Sequence, residues 1–228
     1  MQTLERGDIE SIVFGGHNGT ITSIRGYQNF DITDTTVTPL NNPTLKRPWV
    51  DTRVKSNFFE NILTRIDPST YLDFGSNLGY YVFNAAHRGI LSTGIDYNQE
   101  YTSVCNAIKT RHNVVHATFI NDNLQNSLTY LTPKDFMTVF NVIHHLYNRT
   151  EQYCDMNQLV SDFARLAKDV LFEVPTENDP KGRKWTVNTG YSEVLFVETA
   201  HKLFDSVEYI PGQTEHRPYY LCCGSKLV

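Results

Sequence analysis

Nowhere in the 228 residues does an apolar run approach the ~18 to 20 that a bilayer-spanning helix requires. No membrane span is therefore expected. The opening MQTLERGDIE is charged where a secretory signal would place its apolar stretch, so the chain reads as cytoplasmic. Positive charge is also scarce: 20 Lys and Arg face 25 Asp and Glu, a formal net charge of −5. No surplus cationic field exists to grip a phosphate backbone along its length, which disfavours a dedicated nucleic-acid binder. The four cysteines, at 105, 154, 222 and 223, lack the paired clusters that zinc sites use. They read as packing thiols of a reducing compartment. Internal repeats and low-complexity stretches are absent as well.

What the sequence does contain falls into two parts. Residues 1–56 are rich in Thr, Asn and Gly and have no helical periodicity. The stretch IESIVFGGHNGTITSIRGY predicts two short strands about a turn containing Asn18-Gly19, a strong hairpin signal. The following NFDITDTTVTPLNNPTLKRPW reads as loop, punctuated by Pro39, Pro43 and Pro48. This part is expected to be an N-terminal extension or lid over a domain spanning 57–228.

From Ser56 onward helical and strand patterns alternate. Helices are expected over 56–66, 80–88, 98–112, 124–131, 156–167 and 192–203, and strands over 70–75, 90–96, 113–120, 135–143, 169–175, 206–210 and 217–223. Strands joined by crossover helices predict an α/β fold: a Rossmann-like, seven-stranded, mostly parallel sheet with helices on both faces. The last two strands predict an antiparallel C-terminal hairpin turning at Pro211-Gly212-Gln213.

In an open α/β sheet, ligands bind beyond the carboxyl ends of the strands. The first such end reads Asp73-Phe74-Gly75-Ser76-Asn77-Leu78-Gly79. Its glycines permit close backbone approach, and the helix that follows offers N–H groups without intrahelical partners. Asn77 stands where G-x-G-x-x-G needs its second glycine, and no Gly-Lys-Ser/Thr follows, so dinucleotide and P-loop readings lose ground. The second end, Gly94-Ile95-Asp96-Tyr97, places an acid where it can accept both hydroxyls of a ribose or cap the helix beginning at Asn98.

These residues, together with the strand Asp135–Val142 and the terminal hairpin, resemble the class I S-adenosylmethionine-dependent methyltransferases over roughly residues 57 to 224. The resemblance implies S-adenosylmethionine as cofactor. It implies a glycine turn of Asp73, Gly75, Ser76, Asn77 and Gly79 for the amino-acid end, Asp96 for the ribose, and Tyr97 with Asp122 for the adenine. Asn121 and Asn123 flank Asp122 and are alternatives to it. Relatives often use a basic residue at the entry to the first helix on the cofactor carboxylate; of Arg47, Arg53 and Lys55, Arg53 is the expected one. Asn141 is expected at the methionine end or the acceptor. A narrower likeness, carried by Val142-Ile143-His144-His145, Leu171-Phe172-Glu173-Val174 and Arg217-Pro218-Tyr219-Tyr220, points to methyltransferase domains that decorate surface polysaccharides, including O-antigen chain-terminating kinase–methyltransferases. It implies a glycan acceptor and membership of a larger glycan-building polypeptide.

A sugar hydroxyl is a poor nucleophile while protonated, so its methylation calls for a general base near neutral pKa. One of His144 and His145 is expected to be that base and the other to pack; the sequence does not say which. Glu173 is expected to orient a histidine or accept from a sugar. A phosphate acceptor would need positioning alone; RNA and small metabolites are further alternatives, and a cofactor-binding module without catalysis ranks behind them. No metal ligand is expected, although a divalent ion held through Glu173 stays open. The long loop 175–190 carries Lys181, Arg183 and Trp185, which with Arg217 are the expected substrate-binding residues. For each of these the ordinary role of solvated charge, helix cap or core aromatic competes.

Overall fold

The computed structural model describes residues 13–15, 20–22, 28–40, 52–147, 153–180 and 190–228. Its elements in chain order are β1 (Val13–Gly15), β2 (Thr20–Thr22), β3 (Asn29–Ile32), β4 (Val37–Pro39), α1 (Thr52–Ile66), β5 (Thr70–Phe74), α2 (Tyr80–His87), β6 (Leu91–Asp96) and α3 (Gln99–Arg111). There follow β7 (Ala117–Asn121), α4 (Leu124–Tyr130), β8 (Lys134–Val139), α5 (Ile143–Leu146), α6 (Met156–Ala164), β9 (Ala167–Glu173), α7 (Glu193–Leu203), β10 (Phe204–Ile210) and β11 (Tyr219–Ser225). The expected seven-stranded sheet is present in the order β10-β11-β9-β8-β5-β6-β7. Pairs β5–β8, β8–β9 and β6–β7 are parallel, whereas β10–β11 and β11–β9 are antiparallel. The architecture is the Rossmann-like one read from the sequence.

The chain folds as two compact units, one taking in everything through Ser69 plus Ser76–Asn121, the other Thr70–Gly75 plus Asp122–Val228. In the first unit a separate antiparallel sheet runs β1-β2-β3-β4. The predicted pairing of β1 with β2 is present, while the turn between them, with His17 and Asn18, lies outside the described residues. Residues 29–39, expected as loop, instead form the β3–β4 hairpin, with Phe30 opposite Pro39 and Ile32 opposite Val37. The turn is made by threonine. Thr33 Oγ1 accepts the N–H groups of Thr35 and Thr36, and Thr33 N–H donates to the Thr36 carbonyl. A hydroxyl-built turn of this kind carries no Asn-Gly marker. Pro39 is tolerated because β4 is an edge strand.

Alternation decides what β3 does. Phe30 and Ile32 are fully buried, and Phe30 meets Tyr80 edge-on at 5.5 Å between ring centroids and Phe83 at 6.1 Å. Helix α1 begins at Thr52, four residues earlier than expected, and buries Thr52, Lys55, Ser56, Phe59, Ile62 and Leu63 at helical spacing. A polar network ties α1 to α2: Ser56 Oγ lies 2.5 Å from the Tyr80 hydroxyl and donates to Glu60, which also receives Asn84 Nδ2 and pairs with Arg88 at 2.9 Å. Burial, helped by Glu60, pushes the Tyr80 phenol up to about 12, so it stays a neutral hydroxyl across the physiological range.

In the second unit, Phe163 of α6 packs edge-on against Phe74 at 5.3 Å and Phe172 at 5.7 Å, and Phe172 against Phe196 of α7 at 5.1 Å. The closing strand starts at Tyr219 and not at Arg217. Pro218 has no N–H for a ladder, and Arg217 N–H is spent on the Thr214 carbonyl. Arg217 thus sits in the connection before β11.

If β3 is an integral layer of the first unit, Phe30→Ala should cost about 3–5 kcal/mol in urea unfolding, the usual range for a buried Phe. A loss under about 1 kcal/mol would show that the N-terminal sheet contributes little there.

Candidate active site

The glycine turn crosses from the second unit to the first between Gly75 and Ser76. Gly75 and Gly79 both adopt the left-handed region, at φ 81° and 79°. A Cβ on Gly79 would stand 2.6 Å from the Phe119 ring, and one on Gly75 2.5 Å from Val142 Cγ2. Neither position accepts a side chain without displacement. Asn77, in the place of the missing glycine, also sits at positive φ, 50°, which Asn tolerates better than most residues.

On the first unit the turn is held against the end of β6. Ser76 N–H donates to the Ile95 carbonyl at 3.0 Å. The Asp96 carboxylate takes Asn77 N–H on Oδ2 at 2.8 Å and Asn98 N–H on Oδ1 at 2.9 Å. Helix α3 is capped by Asn98, whose side chain accepts from Glu100 N–H. The two readings of Asp96 therefore part: the cap is Asn98, and Asp96 joins the glycine turn to the start of α3. Asp96 is buried, and that burial raises its pKa above the ordinary carboxylate value even though both backbone bonds pull it down. Asn77 Oδ1 is buried without a hydrogen-bond partner. Two acceptors, one orphaned in the turn and one only partly compensated at the end of β6, thus lie next to each other.

The remaining expected cofactor residues of the first unit are dispersed. Tyr97 is 84% exposed. Asn121 Nδ2 donates to the Asp96 carbonyl at 2.9 Å and braces the end of β6. Arg53 is exposed, whereas Lys55, two residues on, is buried in α1. Gln28, which nothing in the sequence singled out, is buried with its amide bonded to the turn.

On the second unit, Asp73 is buried and Oδ1 accepts from Thr138 Oγ1 at 2.8 Å; Thr138 in turn is bonded to the Tyr71 hydroxyl. A carboxylate only accepts, so the two hydroxyl protons run in one direction, from Tyr71 to Thr138 to Asp73. Asp122 is held locally by Asn123 N–H, Asn126 Nδ2 and the Tyr130 hydroxyl. Those bonds set its carboxyl below the usual range.

After β8 the chain turns at Asn141, again at positive φ, 59°, and enters the one-turn helix α5. This phase buries His144 and exposes His145, with the two rings 4.1 Å apart between centroids. Asn141 Oδ1 accepts from the Arg217 guanidinium, whose other terminal nitrogen pairs with buried Asp179 at 2.6 Å. Arg217 is accordingly engaged inside the protein. Glu173, at the end of β9, is buried opposite Tyr219 in the antiparallel register. Burial, and next to it the Glu173 charge, drives the Tyr219 phenol well above its ordinary pKa. Lys181, Arg183 and Trp185 lie outside the described residues. Among the described residues no group of three or more His, Cys, Asp or Glu is placed to hold a metal ion, and no helix is long and apolar enough to cross a membrane.

The fold is that of the class I S-adenosylmethionine-dependent methyltransferases. No family model matches the chain. The O-antigen chain terminator bifunctional methyltransferase/kinase WbdD of Escherichia coli is 26% identical over 118 residues, 50% of this chain and 16% of that protein. A crystal structure of WbdD superposes with a TM-score of 0.61 at 21% identity, covering 75% of this chain and 39% of the other. The N-terminal domain of EvdMO1, solved with SAH bound, gives 0.56 at 11% identity, over 75% and 81% of the two chains. The chain thus spans well under half the length of its WbdD relative.

Removing the Arg217 cation by Arg217→Met strands the Asp179 carboxylate in the interior and should cost about 3–5 kcal/mol. Adding Asp179→Asn should restore most of that loss in chemical denaturation. Additive losses in the double variant would show that the two side chains do not act as a pair.

Proposed function

We propose that the protein is an S-adenosylmethionine-dependent O-methyltransferase acting on a sugar hydroxyl of a glycan, with His144 as general base. The observation that carries the cofactor assignment is a pair of buried acceptors side by side, Asp96 at the end of β6 and Asn77 Oδ1 in the glycine turn. A ribose diol and an ammonium group are the donors that would satisfy them, so the residues present fit the cofactor. Asp96 would hold the ribose and Ser76, Asn77 and Gly79 the amino-acid end, with Asp73 and Gly75 at the start of the turn. When bound, the cofactor supplies an electrophilic methyl carbon on a sulfonium.

The chain's own contribution is alignment and proton removal. His144, buried directly after β8, accepts the hydroxyl proton, which needs the neutral ring. Exposed His145 lies tilted beside it, at 38° between ring planes, and is read as packing. Glu173 is read as accepting a hydrogen bond from the sugar or the base, and Asn141, fixed by Arg217, as orienting the acceptor or the methionine end. Lys181, Arg183 and Trp185 are read as glycan contacts, and residues 1–56 as an extension acting on the domain over 57–228. The WbdD likeness supports a surface-polysaccharide acceptor and a larger polypeptide as context. A terminal glycan phosphate is the competing acceptor.

Labelled cofactor offered with a panel of glycosides, phosphorylated glycans, RNAs and metabolites should mark a glycoside, with turnover unchanged by a chelator. Label on RNA or phosphate alone would overturn the acceptor. His144→Ala should lower kcat by about 10²–10⁴ while SAH binding persists, and His145→Ala should do far less. Normal turnover in His144→Ala ends the base assignment.

The pH dependence of SAH affinity has a definite sign. Ionised Asp96 accepts from the ribose, and its pKa is raised, so affinity should fall as pH drops, beginning above the ordinary carboxylate range. Asp96→Asn should bind weakly throughout and lose that pH response in calorimetry.

A further inference from the structure

Among the described residues of the N-terminal segment, Gln28 bonds to the glycine turn. Gln28 immediately precedes β3 and is 6% exposed. Its Oε1 accepts Tyr80 N–H at 3.0 Å and its Nε2 donates to the Ser76 carbonyl at 3.3 Å. The partners fix the orientation of the amide, since an N–H requires the oxygen and a carbonyl requires the nitrogen.

Both contacts fall where the turn needs help. Tyr80 is the first residue of α2, and its N–H has no partner within the helix. Gly79, at the N-cap position, has no side chain to supply one. The Ser76 carbonyl already accepts Gly79 N–H at 2.8 Å, and Gln28 adds a second donor to its other lone pair. Gln28 therefore spans the turn from its second glycine-flanking residue to the helix it opens. The side chain is itself held in place, because Phe30 two residues on is buried against Tyr80 and Phe83.

We infer that Gln28 is a positioning residue for the cofactor turn, setting cofactor affinity by holding that turn and not by contacting the cofactor. This rests on the reading that the turn holds S-adenosylmethionine. The amide acts as a clamp: an acceptor for the helix start and a donor for the turn carbonyl, at a fixed separation. Loosening it frees the backbone of Ser76–Gly79 while Asp96 still grips Asn77 N–H.

The test is calorimetric titration of the full chain with SAH. Gln28→Leu, of similar size but apolar, should bind about tenfold more weakly, equivalent to about 1.4 kcal/mol, with its unfolding still cooperative. Gln28→Glu separates positioning from bulk stability. As a carboxylate the new group still accepts Tyr80 N–H but presents an oxygen to the Ser76 carbonyl, so affinity should fall. As a carboxylic acid it can accept and donate like the amide, so its affinity relative to wild type at the same pH should recover as pH decreases. Wild-type affinity in both folded variants would overturn the inference, as would a loss in Gln28→Glu that ignores pH. Should Gln28→Leu not fold, the Gln28→Glu titration decides alone. Failure of the wild type to bind SAH would instead remove the cofactor reading, and this inference with it.

Discussion

The first unit is organised around one buried carboxylate. Moving an ionised Asp from water to the interior costs several kcal/mol after relaxation, and a hydrogen bond to a charged group returns about 1.5–3 kcal/mol. Asp96 has two such bonds, from Asn77 and Asn98. They couple the glycine turn to the start of α3, which explains how Asn77 is kept at a positive φ. The balance is nevertheless incomplete, since burial still raises the Asp96 pKa. A carboxylate in that condition gains from any further donor. On the proposed function, that residual is what a ribose hydroxyl would satisfy at the end of β6.

The second unit uses a related device to a different end. Asn141 leaves β8 in the same left-handed region that Asn77 occupies after β5, so each of these two parallel strands ends in a reversed asparagine. Asn77 leaves its side-chain oxygen unused, whereas Asn141 gives its oxygen to Arg217. The Arg217–Asp179 pair lends little net stability by comparison with an apolar substitute, but losing one partner is costly. Its effect is to fix the backbone just ahead of α5, and thereby the phase that turns His144 inward and His145 outward.

The sheet was legible in the sequence because its strands and helices each carry a sustained period, from Thr70–Phe74 to Tyr219–Ser225. Hairpin β3–β4 was not, since its four-residue alternation is short and its turn is built from threonine hydroxyls. The burial of Lys55 had a signal: Lys55, Phe59 and Ile62 fall at i, i+4 and i+7 on one face of α1. Starting the helix at Ser56 hid it. The choice between His144 and His145 depends on the phase of a four-residue helix, which no periodicity defines. Asp179 pairs with Arg217 across 37 intervening residues, and Gln28 meets Tyr80 across 51, so neither leaves a local pattern.

Charge placement also bears on the acceptor. Arg217 was expected to bind substrate, but its guanidinium is paired with Asp179 and bonded to Asn141. Asking it to bind a phosphate would mean separating a buried ion pair, a cost of several kcal/mol that a modest acceptor site has no evident means to offset. Glu173, buried opposite Tyr219, adds negative charge to the same unit. A neutral hydroxyl suffers neither penalty, and it is the acceptor class that needs a proton acceptor, the role proposed for His144. Within the proposed function, the charge placement of the second unit and the base assigned to His144 therefore argue for the same acceptor class.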